Sequence, residues 1–138
     1  MTAFNVVVIE DNPADVFLLR RSMEQMGLEC SLTVAVDGEE GLDCLFRRNK
    51  FEGCANADLI LLDMHLPKLD GLEILKRTPD AAHLPICMLT SSARERPLVE
   101  AQLGRSVAYL IKPVTPEKLR NCLRSHEHLR RLVGEVIP

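Results

Sequence analysis

Four apolar runs in this sequence each end in a residue able to do chemistry. Asn5-Val6-Val7-Val8-Ile9 leads to Glu10-Asp11, Asp58-Leu59-Ile60-Leu61-Leu62 to Asp63, Pro85-Ile86-Cys87-Met88-Leu89 to Thr90, and Val107-Ala108-Tyr109-Leu110-Ile111 to Lys112. A carboxylate such as Asp63 can serve as nucleophile, base or metal ligand, and its company has to decide which. If the run ends converge, three carboxylates, a hydroxyl and an ammonium share one crevice. Carboxylates held together repel, and the usual relief is a hard divalent cation with oxygen ligands, for which Mg2+ is the natural candidate. An arriving phosphoryl group would find its oxygens neutralised by metal and Lys112 while the Thr90 hydroxyl donates a hydrogen bond. Asp63 would then attack phosphorus, giving a mixed anhydride that water later hydrolyses.

Convergence requires a particular arrangement of elements. Four consecutive large apolar residues before Asp63 are too short for a typical helix and read as a strand buried on both faces of a parallel sheet. In open α/β sheets the carboxyl ends of such strands are where ligands collect. The runs at 5–9, 85–89 and 107–111 read the same way, while Cys30 to Ala35 alternates and suits a strand nearer an edge. Asn12-Pro13 resembles a helix start, followed by Val16, Leu19, Met23 and Met26 at helical spacing until Gly27 stops it. Asp37-Gly38 marks a turn, Gly41 to Phe46 a short helix ending at Arg47-Arg48, and 49–57 a loop. Leu72, Leu75 and Lys76 sit in a helix that Pro79 must end, with Lys68 and Asp70-Gly71 as turn residues. A polar helix of about ten residues starts at Ala93, and Thr115-Pro116 caps the last. Strands alternating with helices imply right-handed βαβ units, hence a doubly wound five-stranded parallel sheet with helices on both faces.

Bulk properties fit one domain. The chain has 138 residues, 46% hydrophobic and 27% charged, with net charge −3, which gives no electrostatic reason to expect nucleic-acid binding. No run is long enough to span a bilayer and Met1 to Glu10 does not resemble a signal peptide, so a cytoplasmic location is expected. Five scattered cysteines argue for reduced thiols, with Cys87 and Cys122 as small core hydrophobes and Cys54 in a loop. His65, His83, His126 and His128 show no metal-ligand pattern. Met23, Met26 and Met88 read as core filler, and Arg94, Glu95 and Arg96 as a solvated face.

Glu10-Asp11, LILLDMHLPKLDG around Asp63, MLTSS around Thr90 and YLIKP around Lys112 together resemble the receiver domain of two-component response regulators, over about residues 5 to 125. EDNPADVFLLRRSM further resembles the single-domain receivers that serve bacterial phytochrome-type histidine kinases. The resemblance implies a strand order of 2-1-3-4-5 and a phosphorelay function. Asp63 matches the aspartate that takes a phosphoryl group from a sensor histidine kinase. Glu10 and Asp11 match the acidic pair of the Mg2+ site, completed by Asp63 and the backbone carbonyl of His65. Thr90 and Tyr109 match the switch pair, whose hydroxyl moves toward the phosphoryl group as the ring turns inward, reshaping the face of fourth helix, fifth strand and fifth helix. Lys112-Pro113 matches a phosphoryl-binding lysine often followed by a cis peptide bond. Glu10 stands where many members have Asp, and His65 and Ser92 occupy variable positions that tune the phosphoryl lifetime.

Two further classes remain. A flavodoxin-like binding module shares the fold, but an acidic pair replaces the phosphate loop expected after its first strand. Aspartate-nucleophile phosphatases of the haloacid dehalogenase type resemble Asp-x-Asp after that strand, where this chain has Glu-Asp. No external-substrate turnover and no DNA-binding output domain are expected of a receiver of this kind. The domain is expected over 1–125, with a C-terminal helical extension over 126–138. Leu119, Cys122, Leu123, Leu129, Leu132 and Val133 recur near helical spacing, followed by Val136 and Ile137. They predict a homodimer through the C-terminal region, with Arg120, Arg124, Arg130 and Arg131 at the rim, in preference to a tail folded back on its own domain.

Overall fold

The central strand is β3 (Leu59–Asp63), buried at every position, as its apolar run requires. A computed structural model of the chain describes residues 4–27, 29–78, 84–125 and Arg130. Within it β1 (Phe4–Ile9), β2 (Cys30–Ala35), β4 (Ile86–Thr90) and β5 (Ala108–Ile111) complete a sheet of order β2-β1-β3-β4-β5. All neighbours pair in parallel. The connecting helices are α1 (Pro13–Gln25), α2 (Gly38–Leu45), α3 (Gly71–Arg77) and α4 (Glu95–Leu103), and α5 (Pro116–Ser125) follows β5. The fold is the predicted doubly wound α/β layer, with β2 the partly exposed edge strand.

Alternation along each strand divides the core in two. Val6, Val8, Leu59, Leu61, Cys87, Leu89 and Leu110 pack with Leu19 and Met23 of α1 and Leu119 and Leu123 of α5. Val7, Ile9, Ile60, Leu62, Ile86 and Met88 pack with Leu42 of α2, Ile74 and Leu75 of α3 and Val99 of α4. Each such buried side chain contributes about 1.5–3 kcal/mol relative to exposure, an upper figure because the unfolded chain is already partly collapsed. Cys87 and Cys122 are both buried, with sulfurs 3.3 Å apart. Burial pushes the Cys44 thiol up to about 11.

Several local expectations are corrected. Asp37 does not merely turn the chain; its carboxylate accepts the Glu40 N–H at 2.8 Å and caps α2, which therefore begins at Gly38 and ends at Leu45. Asp70 caps α3 in the same way through the Glu73 N–H at 2.9 Å. The 49–57 loop contains a 3-10 turn, Asn49–Phe51, that buries Phe51. Helix α4 starts at Glu95, two residues later than expected. Lys68 pairs with Asp37 and Glu39. Of the residues assigned to a pairing face, Leu119, Cys122 and Leu123 are spent in their own core. Pro79, His83, His126, His128, Leu129, Arg131, Leu132, Val133, Val136 and Ile137 lie outside the described residues.

Candidate functional site

Sheet register brings the predicted residues together. Ile9 pairs with Leu62 and Asp63 with Leu89, so Glu10 emerges beside Asp63 at the carboxyl edge, and Thr90 pairs with Ile111, one residue before Lys112. Glu10 and Asp63 are 1% and 4% exposed, whereas Asp11 is open to solvent. Carboxylate oxygens of Glu10, Asp11 and Asp63 lie within 4.8 Å of one another. Asn12 directs the chain out of this corner by accepting the Ala14 N–H at 2.9 Å, with Pro13 opening α1.

Asp63 is held from several sides. Its Oδ1 accepts the His65 N–H at 3.2 Å and its Oδ2 accepts from Lys112 Nζ at 3.2 Å. The next residue is pinned on both sides, Met64 N–H to the Leu89 carbonyl and Gly71 N–H to the Met64 carbonyl, each at 3.0 Å. A Cβ on Gly71 would stand 2.5 Å from the Asp63 carbonyl oxygen, so only glycine lets α3 start this close.

Lys112 spans the carboxylates, donating to Glu10 Oε1 at 2.5 Å, Asp15 Oδ2 at 3.0 Å and Asp63 Oδ2 at 3.2 Å. Asp15, in the first turn of α1, is a site residue that the sequence pattern does not single out, because its reach depends on where α1 points. Burial, then hydrogen bonding and repulsion from Asp63, push the Glu10 carboxyl up to about 8 despite Lys112. Burial disfavours the Lys112 ammonium, yet the surrounding carboxylates outweigh it and raise its pKa. This is a corner with more negative charge than one ammonium offsets. The Lys112-Pro113 peptide is cis, as the resemblance implies.

Thr90 ends β4 at the same carboxyl edge with its hydroxyl turned to α4, and Tyr109 faces the layer of α2, α3 and α4. Buried Thr90 donates its hydroxyl to Glu95 Oε1 at 2.6 Å, and Glu95 Oε2 lies 2.6 Å from His65 Nε2. Half-buried Tyr109 packs with the α2–α4 core, and the Arg96 guanidinium lies 4.4 Å from its ring centroid. The solvated face expected of Arg94, Glu95 and Arg96 therefore holds only for Arg94. A cavity of about 460 Å3, lined by Asn5, Ser31, Thr33 and Cys54 among others, shares no lining residue with this site.

Converging carboxylates, an ammonium and a hydroxyl at strand ends suit phosphoryl chemistry, and comparison with known proteins agrees. The response regulator receiver domain family matches residues 6–124. The chain belongs to this family. Similar proteins include the probable methanogenesis regulatory protein FilR2 of Methanothrix harundinacea, 34% identical over 96% of this chain and 81% of its own length. Response regulator Rcp1 of Synechocystis is 30% identical over 78% of this chain and 75% of its own. A solved Mn(2+)-bound form of Rcp1 covers 97% of this chain and 95% of its own, with TM-score 0.69 and 25% identity. The bacteriophytochrome response regulator AtBRR superposes with TM-score 0.78 at 33% identity, covering 90% of this chain and 92% of its own. This receiver is thus a signalling domain of two-component systems, which decides against the two alternative classes. Among its described residues no helix is long and apolar enough to cross a membrane.

Proposed function

We propose that Asp63 accepts a phosphoryl group from a sensor histidine kinase and that Thr90 and Tyr109 report its arrival. The observation that carries this reading is the placement of one nearly buried carboxylate, Asp63, between the acidic pair Glu10-Asp11 and the ammonium of Lys112. Attack by an Asp63 oxygen forms the P–O bond as the P–N bond to the kinase histidine breaks, and the departing imidazole nitrogen keeps its electron pair. Lys112 is within reach of Asp63 and can neutralise phosphoryl oxygens once its hold on the carboxylates loosens. The His65 N–H, already bonded to Asp63, orients the acceptor.

The donor set fits a hard divalent cation, since the carboxylates of Glu10, Asp11 and Asp63 offer oxygen ligands within 4.8 Å of one another. Glu10, Asp11, Asp63 and the backbone carbonyl of His65 would hold Mg2+, which when bound supplies positive charge for carboxylates and phosphoryl oxygens alike. The Mn(2+)-bound form of Rcp1 supports the choice of a divalent ion. Intact mass after incubation with acetyl phosphate tests the reading. A single phosphoryl adduct should form with Mg2+ and disappear in EDTA and in Asp63→Asn; an adduct surviving either change refutes it.

Similarity to AtBRR supports a phytochrome-type kinase as partner. The net charge of −3 supports an output other than nucleic-acid binding, and membership of the receiver family supports a cytoplasmic signalling role without turnover of an external substrate. Output through a homodimer at the α5 end is part of the proposal, with exposed Arg124 and Arg130 at its edge. Sedimentation should give a dimer for the full chain and a lighter species for one ending at Ser125; equal monomeric masses would remove the dimer.

A further inference from the structure

Consecutive residues on the first turn of α4 grip both members of the switch pair. Glu95 Oε1 accepts the Thr90 hydroxyl hydrogen bond at 2.6 Å while its second oxygen is anchored 2.6 Å from His65 Nε2. Arg96 lies over the Tyr109 ring and is itself tied to Glu100 at 3.3 Å. The same Glu100 oxygen accepts the Val107 N–H at 2.9 Å, at the entry to the strand that carries Tyr109. Helix α4 is thereby fastened to β4 through Glu95 and to β5 through Arg96 and Glu100.

A threonine hydroxyl has one proton to donate. Its nearer acceptor here is the Glu95 carboxylate at 2.6 Å, in a charge-assisted bond stronger than the neutral one open to it at the Ser92 carbonyl, 3.0 Å away. Thr90 therefore donates to a phosphoryl oxygen only on leaving both acceptors, of which Glu95 holds it more strongly. A guanidinium over a tyrosine face is likewise attractive, and that attraction is lost if the ring moves away. Both grips favour the arrangement present before phosphorylation, and Glu95 and Arg96 reach neither Asp63 nor the acidic pair by any hydrogen bond or ion pair among the described residues.

We propose that Glu95 and Arg96 form a two-armed latch that holds Thr90 and Tyr109 at rest and so sets how much phosphoryl-binding energy the switch consumes. This inference rests on the reading of Thr90 and Tyr109 as the switch. Glu95 and Arg96 are positioning residues in it. A ligand that binds a minor state shows an apparent affinity reduced by the population of that state, so weakening the latch must tighten binding of a phosphoryl mimic.

The full chain carries one tyrosine and no tryptophan, so 3-fluorotyrosine places a single 19F reporter on the Tyr109 ring. The probe is beryllium fluoride titrated in excess Mg2+. In Glu95→Ala the half-saturating concentration should fall roughly tenfold, the margin of a hydrogen bond to a charged group over the neutral one that the Ser92 carbonyl still offers. In Arg96→Ala it should fall about threefold, in keeping with a partly exposed cation–π contact. Ring resonances of both free variants should move toward the bound position. Glu95→Gln, which keeps an acceptor without charge, should lie between parent and Glu95→Ala, and Arg96→Lys should stay near the parent. Unchanged midpoints and free-state resonances in both alanine variants, with the parent resonance shifting at saturation, overturn the latch and leave the switch standing. A parent resonance that stays still while the fluorides of the bound probe are seen overturns both.

Discussion

Replacing Lys112 by Met tests how the corner is held together before any phosphoryl group arrives. The Lys112 side chain is 17% exposed and its ammonium touches three carboxylates, two of them, on Glu10 and Asp63, almost wholly out of water. Removing one partner of a buried ion pair leaves the other charge uncompensated, a loss of about 3–5 kcal/mol. Access of water through Asp11 and Asp15 favours the lower end, about 3 kcal/mol, which for a chain this size lowers the melting temperature by about 10 °C. Urea unfolding followed by far-ultraviolet circular dichroism in EDTA at pH 9, where the Glu10 carboxyl is ionised, measures it. Adding Glu10→Gln to Lys112→Met should recover at least about 1.5 kcal/mol, because the two changes remove opposite halves of one interaction. Mg2+ should then stabilise Lys112→Met more than the parent, since no ammonium competes with it for the carboxylates. A Lys112→Met chain within 1 kcal/mol of the parent, or strict additivity of the double variant, would refute this account of the corner.

Two further changes probe the supports of the site. Gly38→Ala drives a Cβ into the backbone and Cβ of Leu69, so the loop after Asp63 must move; a loss of at least about 3 kcal/mol in urea unfolding and slower acetyl phosphate labelling are expected. Asp37→Ala removes the α2 cap and should cost about 1 kcal/mol at pH 6. The Glu40 N–H, aided by Lys68, holds the Asp37 carboxyl below its ordinary 3.8, so its contribution is present above that value and lost as pH falls through the lower folded one. The gap between parent and Asp37→Ala should therefore narrow between pH 6 and pH 3, and a gap that widens would reverse the sign.

Much of the site was legible because strand ends are legible. An apolar run bounded by Asp58 and Asp63 can only be a buried strand, and parallel pairing carries every such end to one edge, so Glu10, Asp63, Thr90 and Lys112 could be brought together without coordinates. Residues that reach sideways were not. Asp15 and Glu95 enter from first turns of helices, and whether such a side chain meets Lys112 or Thr90 depends on helix direction, which hydrophobic spacing does not encode. The caps at Asp37 and Asp70 carried a readable signal, since each is followed three residues later by a glutamate, Glu40 and Glu73, as in a capping box. Glycine beside each aspartate suggested a turn instead. Phe51 was hidden differently, being a lone aromatic in a polar loop whose burial comes from the 3-10 turn around it.

Strand alternation also separates two kinds of phenotype. Glu10 and Asp63 share the parity of Val8 and Leu61 and belong with α1 and α5, whereas Thr90 and Tyr109 follow Met88 toward α4. Thr90 closes β4 one residue beyond Leu89, the partner of Asp63, so the carboxyl edge is where the two layers can exchange force. Substitutions beneath α1 should act first on the acceptor corner and substitutions beneath α4 first on the Tyr109 ring, with Thr90 linking the two. A one-residue insertion in β4 would turn Thr90 to the other face and sever that link.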